Sequence, residues 1–151
     1  MNIEELHQIF LSHPLVSTDT RKIEQGSIFF ALKGANFDAN KFVVEALDKG
    51  AAYAVADDAA LFQYNDERII LVDNVLKTLQ KLARYHRDTM NIPVLAVTGT
   101  NGKTTTKELI TKALSPCHNV LATIGNLNNS IGVPLTLLRL TKEHTIAVIE
   151  M

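Results

Sequence analysis

Apolar residues recur at two different periods in the first ninety residues, and this alternation predicts a small α/β domain. Short apolar runs bounded by glycine or polar residues predict strands, whereas apolar residues at helical spacing predict amphipathic helices. Gly50 stands where a helix commonly ends, and Pro14 stops the first helix. The expected elements are helices over 3–10, 41–49 and 75–90 and strands over 27–32, 52–56 and 68–72.

A break at Pro93 separates this part from a second pattern, because proline disfavours helix at the residue before it. Beyond the break, strands and helices alternate strictly, which is typical of a doubly wound parallel sheet. We therefore expect two domains, 1–90 and 91–151, the second being the first part of a larger sheet. Its expected elements are strands over 94–98, 119–123 and 145–149 and helices over 103–114 and 134–140.

Composition excludes several classes of protein. With 46% hydrophobic and 21% charged residues, the chain of 151 residues can bury a core, so long disorder is not expected. A net charge of −1 offers no basic field for nucleic acid. Cys117 is the single cysteine, and the five histidines show no metal-binding spacing. Without a signal peptide or a membrane-spanning apolar run, we expect a cytoplasmic protein with no membrane insertion.

A glycine turn joins the strand at 94–98 to the helix at 103–114 and carries the clearest chemical signal. Glycines let backbone N–H groups turn toward an anion, and a helix N-terminus adds about half a positive charge. Lys103 supplies a charge for the β- and γ-phosphates, and Thr104 offers a hydroxyl to a phosphate-bound Mg²⁺. The expected ATP-binding residues are Gly99, Thr100, Asn101, Gly102, Lys103, Thr104 and Thr105.

The strict phosphate-loop pattern is not fully met, because Val97 occupies the position of its first glycine and a shorter loop opens at Gly99. Glu150 follows the last apolar run, and the ends of parallel strands meet at one edge of a sheet. Taken alone, Glu150 would equally suit an ordinary carboxylate facing solvent. Beside a phosphate loop, it is expected to complete a Mg²⁺ site with Thr104.

The shortened loop resembles that of the Mur ligases and of the related folylpolyglutamate synthetases. Further segments resemble the Mur ligase family, and within it the ligases that add D-alanyl-D-alanine. Together with the loop they extend the resemblance over almost the whole chain, and the last of them is the most diagnostic. These segments are Thr-Asp-Thr-Arg-Lys at 18–22, Phe-Phe-Ala-Leu-Lys-Gly at 29–34, Phe-Asp-Ala-Asn at 37–40 and Gly-Asn-Leu-Asn-Asn-Ser-Ile-Gly-Val-Pro-Leu-Thr-Leu-Leu at 125–138.

The resemblance implies an ATP-dependent ligase of peptidoglycan precursor synthesis, with ATP and Mg²⁺ as cofactors. In that family ATP phosphorylates the terminal carboxylate of a UDP-N-acetylmuramoyl tripeptide, and the amine of D-alanyl-D-alanine attacks the acyl phosphate. A carboxylate is a poor electrophile, so the γ-phosphoryl group must be transferred to it while cations neutralise the moving charge. Lys103 is therefore the expected catalytic residue.

The same resemblance implies that residues 1–90 form the UDP-substrate domain. The residues expected to hold the uridine and pyrophosphate are Thr20, Arg21, Lys33, Ala35, Asn36, Asp38 and Asn40. The residues expected near the peptide and the transferred phosphoryl group are Asn126, Asn128 and Asn129. Each set has a structural alternative, because small polar residues also form turns, and asparagine and glycine populate loops for backbone reasons.

Three other interpretations remain open. The diaminopimelate- or lysine-adding Mur ligase has a similar phosphate loop, but its segment corresponding to 125–138 differs. A folylpolyglutamate synthetase usually carries Gly-Ser after the loop lysine, where this chain has Thr104 and Thr105. A standalone module that binds a UDP-sugar or a nucleotide without catalysis is the third. Because full-length relatives continue well beyond this length, we expect an N-terminal fragment that does not turn over alone.

Overall fold

A computed structural model describes all residues from 1 to 151 and divides into two units, 1–81 and 82–151. The division falls inside one long helix, nine residues before the boundary that the sequence suggests. The elements of the first unit are α1 (Ile3–Ser12), β1 (Val16–Ser17), β2 (Ile28–Phe30), β3 (Lys33–Gly34), β4 (Phe37–Asp38), α2 (Val43–Asp48), β5 (Tyr53–Ala56) and β6 (Ile69–Leu71). Short 3-10 turns cover Thr20–Lys22, Ala39–Phe42 and Ala59–Tyr64.

The remaining elements begin with the helix that crosses the division. They are α3 (Val75–Met90), β7 (Val94–Val97), α4 (Lys103–Leu114), β8 (Val120–Ala122), α5 (Gly132–Leu137) and β9 (Ile146–Glu150). The predicted bounds of α3 and α4 are confirmed. Proline was expected in the first turn of a helix at 134–140, but α5 begins two residues earlier, at Gly132. No helix in the structure combines the length and apolar character needed to cross a membrane.

The first unit is built on four parallel strands in the order β1, β2, β5, β6. β2 is buried along its whole length, as expected for a strand covered on both faces. One face carries Phe29 and Ala54 into a cluster with Val43 and Leu47 of α2. This packing explains why the run at 28–30 reads as continuously apolar rather than alternating.

A hairpin of two short antiparallel strands, β3 and β4, follows the carboxyl end of β2. The sequence predicted only an exit loop here, because two-residue strands leave no periodic signal. β1 was missed for the same reason. The hairpin, the turn at Thr20–Lys22 and Asp57 each follow a parallel strand, so they lie toward the same edge of the sheet, where α/β proteins commonly bind ligands.

The second unit contains three parallel strands in the order β7, β9, β8. Ala147 and Ile149 of β9 pack with Val133 and Leu137 of α5. Glu150 instead forms a hydrogen bond with Thr104 of α4. Successive strand residues point to opposite faces, so α4 and α5 cover opposite faces of the sheet. The doubly wound arrangement is therefore confirmed.

β7 is less buried than the other two strands of the second unit. Leu95 is 42% exposed, and Val97 is the one buried residue of the strand. Within residues 1–151, β7 pairs only with β9. Glu150 also differs from a solvent-facing strand-end residue, since it lies within β9 and is 2% exposed.

Candidate phosphate-binding and substrate-binding sites

The loop between β7 and α4 has the backbone conformation of an anion-binding turn. Gly99 and Gly102 have φ angles of +145° and +76°, values that residues other than glycine rarely adopt. Gly102 is the N-cap of α4, and no side chain caps the first turn of this helix. The first N–H groups of α4 therefore have no side-chain acceptor, which suits them to phosphate oxygens.

Lys103 lies over this loop. Its Nζ donates a hydrogen bond of 2.7 Å to the carbonyl oxygen of Gly99, four residues earlier. The other predicted loop residues are all exposed: Thr100, Asn101, Thr104 and Thr105. The turn thus gathers backbone donors, one ammonium group and accessible hydroxyl groups at the N-terminus of α4, which is the set that a polyphosphate requires.

Glu150 is brought to the same end of α4 by the central strand. Its Oε1 accepts hydrogen bonds from Thr104 Oγ1 at 3.1 Å and from Asn128 Nδ2 at 2.9 Å. Its Oε2 is buried and has no hydrogen-bond partner. A buried carboxylate oxygen without a partner is costly unless a cation or donor satisfies it.

This orphaned oxygen fits a hard divalent cation. Mg²⁺ prefers carboxylate and hydroxyl oxygens, and Glu150 and Thr104 offer one of each. No group of three His, Cys, Asp or Glu residues is positioned to hold a metal by itself. Phosphate oxygens and water would therefore have to complete the shell, as is usual for Mg²⁺ bound together with a nucleotide.

The three asparagines of segment 125–138 do not share one environment. Asn128 contacts Glu150, as described above. Asn129 Oδ1 accepts hydrogen bonds from the backbone N–H groups of Ile131 and Gly132, and so supports the start of α5. Asn126 is exposed. The structure thus brings only Asn128 to the carboxylate, whereas Asn129 has the backbone role of a loop asparagine.

The buried Lys107 is linked to Glu150 through Thr123. Lys107 is 2% exposed, and its Nζ donates to the carbonyl oxygen of Thr123 at 2.7 Å and pairs with Glu108 at 2.9 Å. Thr123 Oγ1 in turn accepts from the backbone N–H of Glu150 at 2.9 Å. These bonds tie α4 to the ends of β8 and β9. Sequence reasoning missed Lys107, because a lysine within a polar stretch of helix reads as exposed.

In the first unit, Thr20 and Arg21 lie in the 3-10 turn that follows β1. Arg21 is 85% exposed in its side chain and forms a bidentate pair with Asp19, at 2.7 Å between Nη2 and Oδ2. The hydrogen bonds from Arg21 lower the pKa of Asp19 well below its usual range. Asp19 therefore stays ionised and holds the guanidinium at the edge of the turn. The carbonyl oxygen of Thr20 accepts from Lys49 Nζ at 3.1 Å.

The hairpin residues form a polar network around Asp57. Lys33 Nζ lies 2.8 Å from Asp57 Oδ1, and Asn40 Nδ2 donates to the same oxygen at 3.0 Å. Asn40 Nδ2 also donates to Asp38 Oδ1 at 2.8 Å, and Asp57 Oδ2 accepts from the N–H of Val75 at 3.2 Å. One carboxylate thus joins β3 and the turn after β4 to the start of α3.

Exposure separates the hairpin residues into two groups. Ala35 and Asn36 at the tip are exposed, and the Lys33 side chain is 44% exposed. Asn40 is 2% exposed, and both of its amide hydrogens are used within the protein. The tip and Lys33 can reach a ligand, whereas Asn40 supports them.

Charge reinforces this arrangement. Burial raises the pKa of Asp57, but the hydrogen bonds from Lys33, Asn40 and Val75 outweigh it, and the net pKa is lowered. The hydrogen bond with Asp57 raises the pKa of Lys33. Both groups are therefore charged at neutral pH. The sequence did contain a signal for Asp57, because it follows the apolar run at 52–56 just as Glu150 follows the run at 145–149.

Comparison with known proteins gives a consistent result for both units. Residues 14–87 match the profile of the "Mur ligase family, catalytic domain", and residues 97–151 match that of the "Mur ligase middle domain". Among characterised proteins, the UDP-N-acetylmuramoyl-tripeptide–D-alanyl-D-alanine ligase of Buchnera aphidicola subsp. Baizongia pistaciae is 45% identical over 99% of this chain. That of Escherichia coli K12 is 42% identical over 97% of it. The chain covers 32% of each of these relatives, about one third of their length.

Solved structures agree. MurF from Thermotoga maritima, determined in complex with ADP, superposes with a TM-score of 0.83 at 37% identity, over 93% of this chain and 32% of that protein. MurF from Acinetobacter baumannii superposes with a TM-score of 0.80 at 39% identity, over 90% of this chain and 30% of that protein. The similarity therefore extends through both units.

Proposed function

The chain belongs to the Mur ligase family, and from that premise we propose that it carries the UDP-substrate unit and the nucleotide-binding unit of a D-alanyl-D-alanine-adding ligase. The reaction joins the dipeptide D-alanyl-D-alanine to a UDP-N-acetylmuramoyl tripeptide at the expense of ATP. Because the matched relatives are about three times longer, further residues would belong to the complete active site. We also propose that the enzyme acts in the cytoplasm, where ATP is available.

The observation that carries this proposal is the buried, partly unsatisfied Glu150 beside the uncapped N-terminus of α4. In the proposed complex, the loop N–H groups and the helix N-terminus bind the β-phosphate of ATP. The Lys103 ammonium moves from the Gly99 carbonyl to the phosphate oxygens and neutralises their charge. The ADP bound to the T. maritima relative supports nucleotide binding at this kind of fold.

Glu150 and Thr104 are the residues of this chain that would hold Mg²⁺. The cation would neutralise the β- and γ-phosphate oxygens during transfer. Asn128 holds Glu150 in orientation through its hydrogen bond to Oε1, which leaves Oε2 available for a ligand. The Lys107 and Thr123 bonds keep the backbone of Glu150 in place.

The proposed reaction has two steps. A carboxylate oxygen of the tripeptide attacks the γ-phosphorus, and the bond from this phosphorus to ADP breaks. The dipeptide amine then attacks the carbonyl carbon of the acyl phosphate, and phosphate leaves as the nitrogen loses a proton. Lys103 acts in the first step, because negative charge spreads over the transferred phosphoryl oxygens.

The first unit would bind the UDP part of the tripeptide substrate. Arg21, Lys33 and the hairpin tip at Ala35 and Asn36 present charged and polar groups at the carboxyl edge of the sheet. Thr20 belongs to the same edge. Asp38 and Asn40 would act from behind the tip, since Asn40 is buried and its amide hydrogens are bonded to Asp38 and Asp57.

Isothermal titration calorimetry of the 151-residue chain tests the two assignments separately. We expect saturable binding of UDP-N-acetylmuramoyl tripeptide and, independently, of ADP in the presence of Mg²⁺. Lys103→Met is expected to weaken ADP binding by about a hundredfold, since hydrogen bonds to charged groups contribute about 1.5–3 kcal/mol each, and to leave the UDP ligand unaffected. Lys112→Met, on the exposed side of α4, is the matched control.

The outcomes separate the two units. Binding of ADP without the UDP ligand would overturn the assignment of the first unit. Binding of the UDP ligand with an ADP affinity that does not respond to Lys103→Met would overturn the phosphate-loop assignment. Equal weakening by the Lys112 control would mean that the effect reflects general charge rather than the loop.

A further inference from the structure

Lys33 of the hairpin in the first unit is exposed, but its ammonium group is held in place by an ion pair. Lys33 is 44% exposed, yet its Nζ is fixed 2.8 Å from a carboxylate that is only 10% exposed. That carboxylate, Asp57, also receives hydrogen bonds from Asn40 and from the N–H of Val75. Asp57 therefore cannot swing away to follow the lysine, and the ammonium position is set by the protein.

We propose that Asp57 is a positioning residue for the UDP substrate, which sets the Lys33 ammonium against the diphosphate. This inference rests on the proposed function of the first unit and adds to it a residue and a specific chemical contact. An ammonium group has three hydrogens, of which Asp57 accepts one. The outward-facing part of Lys33 can offer the others to phosphate oxygens.

The charges around Lys33 are consistent with Asp57 positioning the ammonium group and Lys33 contacting the diphosphate. Asp38, Asp57 and Asp58 all interact electrostatically with Lys33 and favour its protonated form. The Lys33 ammonium offsets these negative charges at the point where an anion would approach. Asp57 is largely buried behind Lys33, so the lysine is the more accessible member of the pair. A fixed ammonium loses less side-chain entropy when the ligand binds.

The two carboxylate oxygens of Asp57 accept hydrogen bonds from three donors, so replacing one oxygen with an NH₂ group should disturb this network. Asp57→Asn removes the negative charge that pairs with the Lys33 ammonium, and its new NH₂ group replaces an oxygen that accepts a hydrogen bond. The hairpin keeps other anchors, because Ala39 N–H donates to the Leu32 carbonyl at 3.1 Å and the rings of Phe37 and Phe42 stack with centroids 5.6 Å apart. The substitution should therefore release Lys33 more than it disturbs the loop.

The experiment compares UDP with uridine as ligands of the 151-residue chain, by NMR titration. We expect Asp57→Asn to weaken UDP binding about tenfold, the loss of one charge-assisted hydrogen bond, and to change uridine binding by less than about twofold. Lys33→Met should give the same pattern. Asp58→Asn is the matched control, because it removes a neighbouring negative charge but keeps an oxygen to cap Ala60 N–H.

A double variant tests the coupling directly. Since Asp57 is proposed to act through Lys33, Asp57→Asn should cost no further UDP affinity in the Lys33→Met background. Equal losses for UDP and uridine, additive losses in the double variant, or unchanged UDP affinity in Asp57→Asn would each overturn the inference. If Asp57→Asn fails to fold, Asp57→Glu, which keeps the charge but displaces it, is tested in the same way.

Failure of the proposed function gives a different result. In that case the unsubstituted chain binds neither UDP nor uridine, and the inference falls with it. If the chain binds both ligands, the premise holds, and the ratio of UDP to uridine affinity in the variants decides the role of Asp57.

Discussion

Asn128→Asp tests whether Asn128 and Glu150 form the contact on which the candidate magnesium site depends. Asn128 Nδ2 lies 2.9 Å from Glu150 Oε1. The substitution is nearly isosteric, but it replaces a donor with a second carboxylate. At this distance and an effective dielectric constant of about 20, the repulsion is about 6 kcal/mol. Relaxation to about 5 Å reduces it to about 3 kcal/mol.

We therefore expect the second unit to lose about 3 kcal/mol of stability at pH 8. For a unit of 70 residues, 82–151, this corresponds to a melting temperature lowered by at least about 10 °C. Thermal unfolding followed by circular dichroism measures the loss, and hydrogen exchange in peptides from β8 and β9 locates it. A divalent cation should bridge two adjacent carboxylates, so millimolar Mg²⁺ should restore much of the lost stability.

Asn126→Asp is the matched control, since Asn126 lies in the same segment and is exposed. It changes the net charge by the same amount and should move the melting temperature by less than about 2 °C. Equal melting temperatures for the two variants would refute the contact between Asn128 and Glu150. A large loss that Mg²⁺ leaves unchanged would refute the cation site while retaining the contact.

Three further predictions concern pH and the buried lysine. Burial lowers the pKa of His86 from its ordinary 6.5, so the unfolded chain takes up a proton at a higher pH than the folded chain does. The free energy of unfolding, measured in urea titrations, should therefore fall as the pH drops below about 6.5. His86→Gln should flatten this dependence. The pKa of Asp57 is lowered in the folded chain, so its carboxylate contributes stability above the unfolded pKa of 3.8, and this stability is lost as the pH falls through the folded pKa. Acid unfolding of Asp57→Asn should therefore depend less on pH in this acidic range. Lys107→Met should lower stability by about 1–3 kcal/mol in chemical denaturation, because the Thr123 carbonyl loses its donor; an unchanged midpoint would contradict that role.

The site illustrates how far local patterns extend. The glycine turn before α4 could be located from the sequence, because its residues are contiguous and a turn of this kind depends on local backbone geometry; that Gly99 to Thr105 bind phosphate stays a prediction. Glu150 could be expected nearby, since parallel strands end at one edge of a sheet. The separate roles of Asn128 and Asn129 could not, because adjacent residues in a loop differ in direction only through its folded path.

Local sequence patterns likewise did not predict which polar residues are buried or which groups they contact. Apolar periodicity by itself determined the order of the longer strands and helices, including the bounds of α3 and α4, because regular elements repeat over several residues; the two-residue strands β1, β3 and β4 leave no such pattern. Only the tertiary structure decided that Lys107 is buried and that Asp57 joins Lys33 to Asn40. Each of these depends on groups far apart in the chain: Asp57 is 17 residues from Asn40, and Lys107 is 16 residues from Thr123. A sequence records which polar groups exist, whereas the fold determines which of them must satisfy one another away from water.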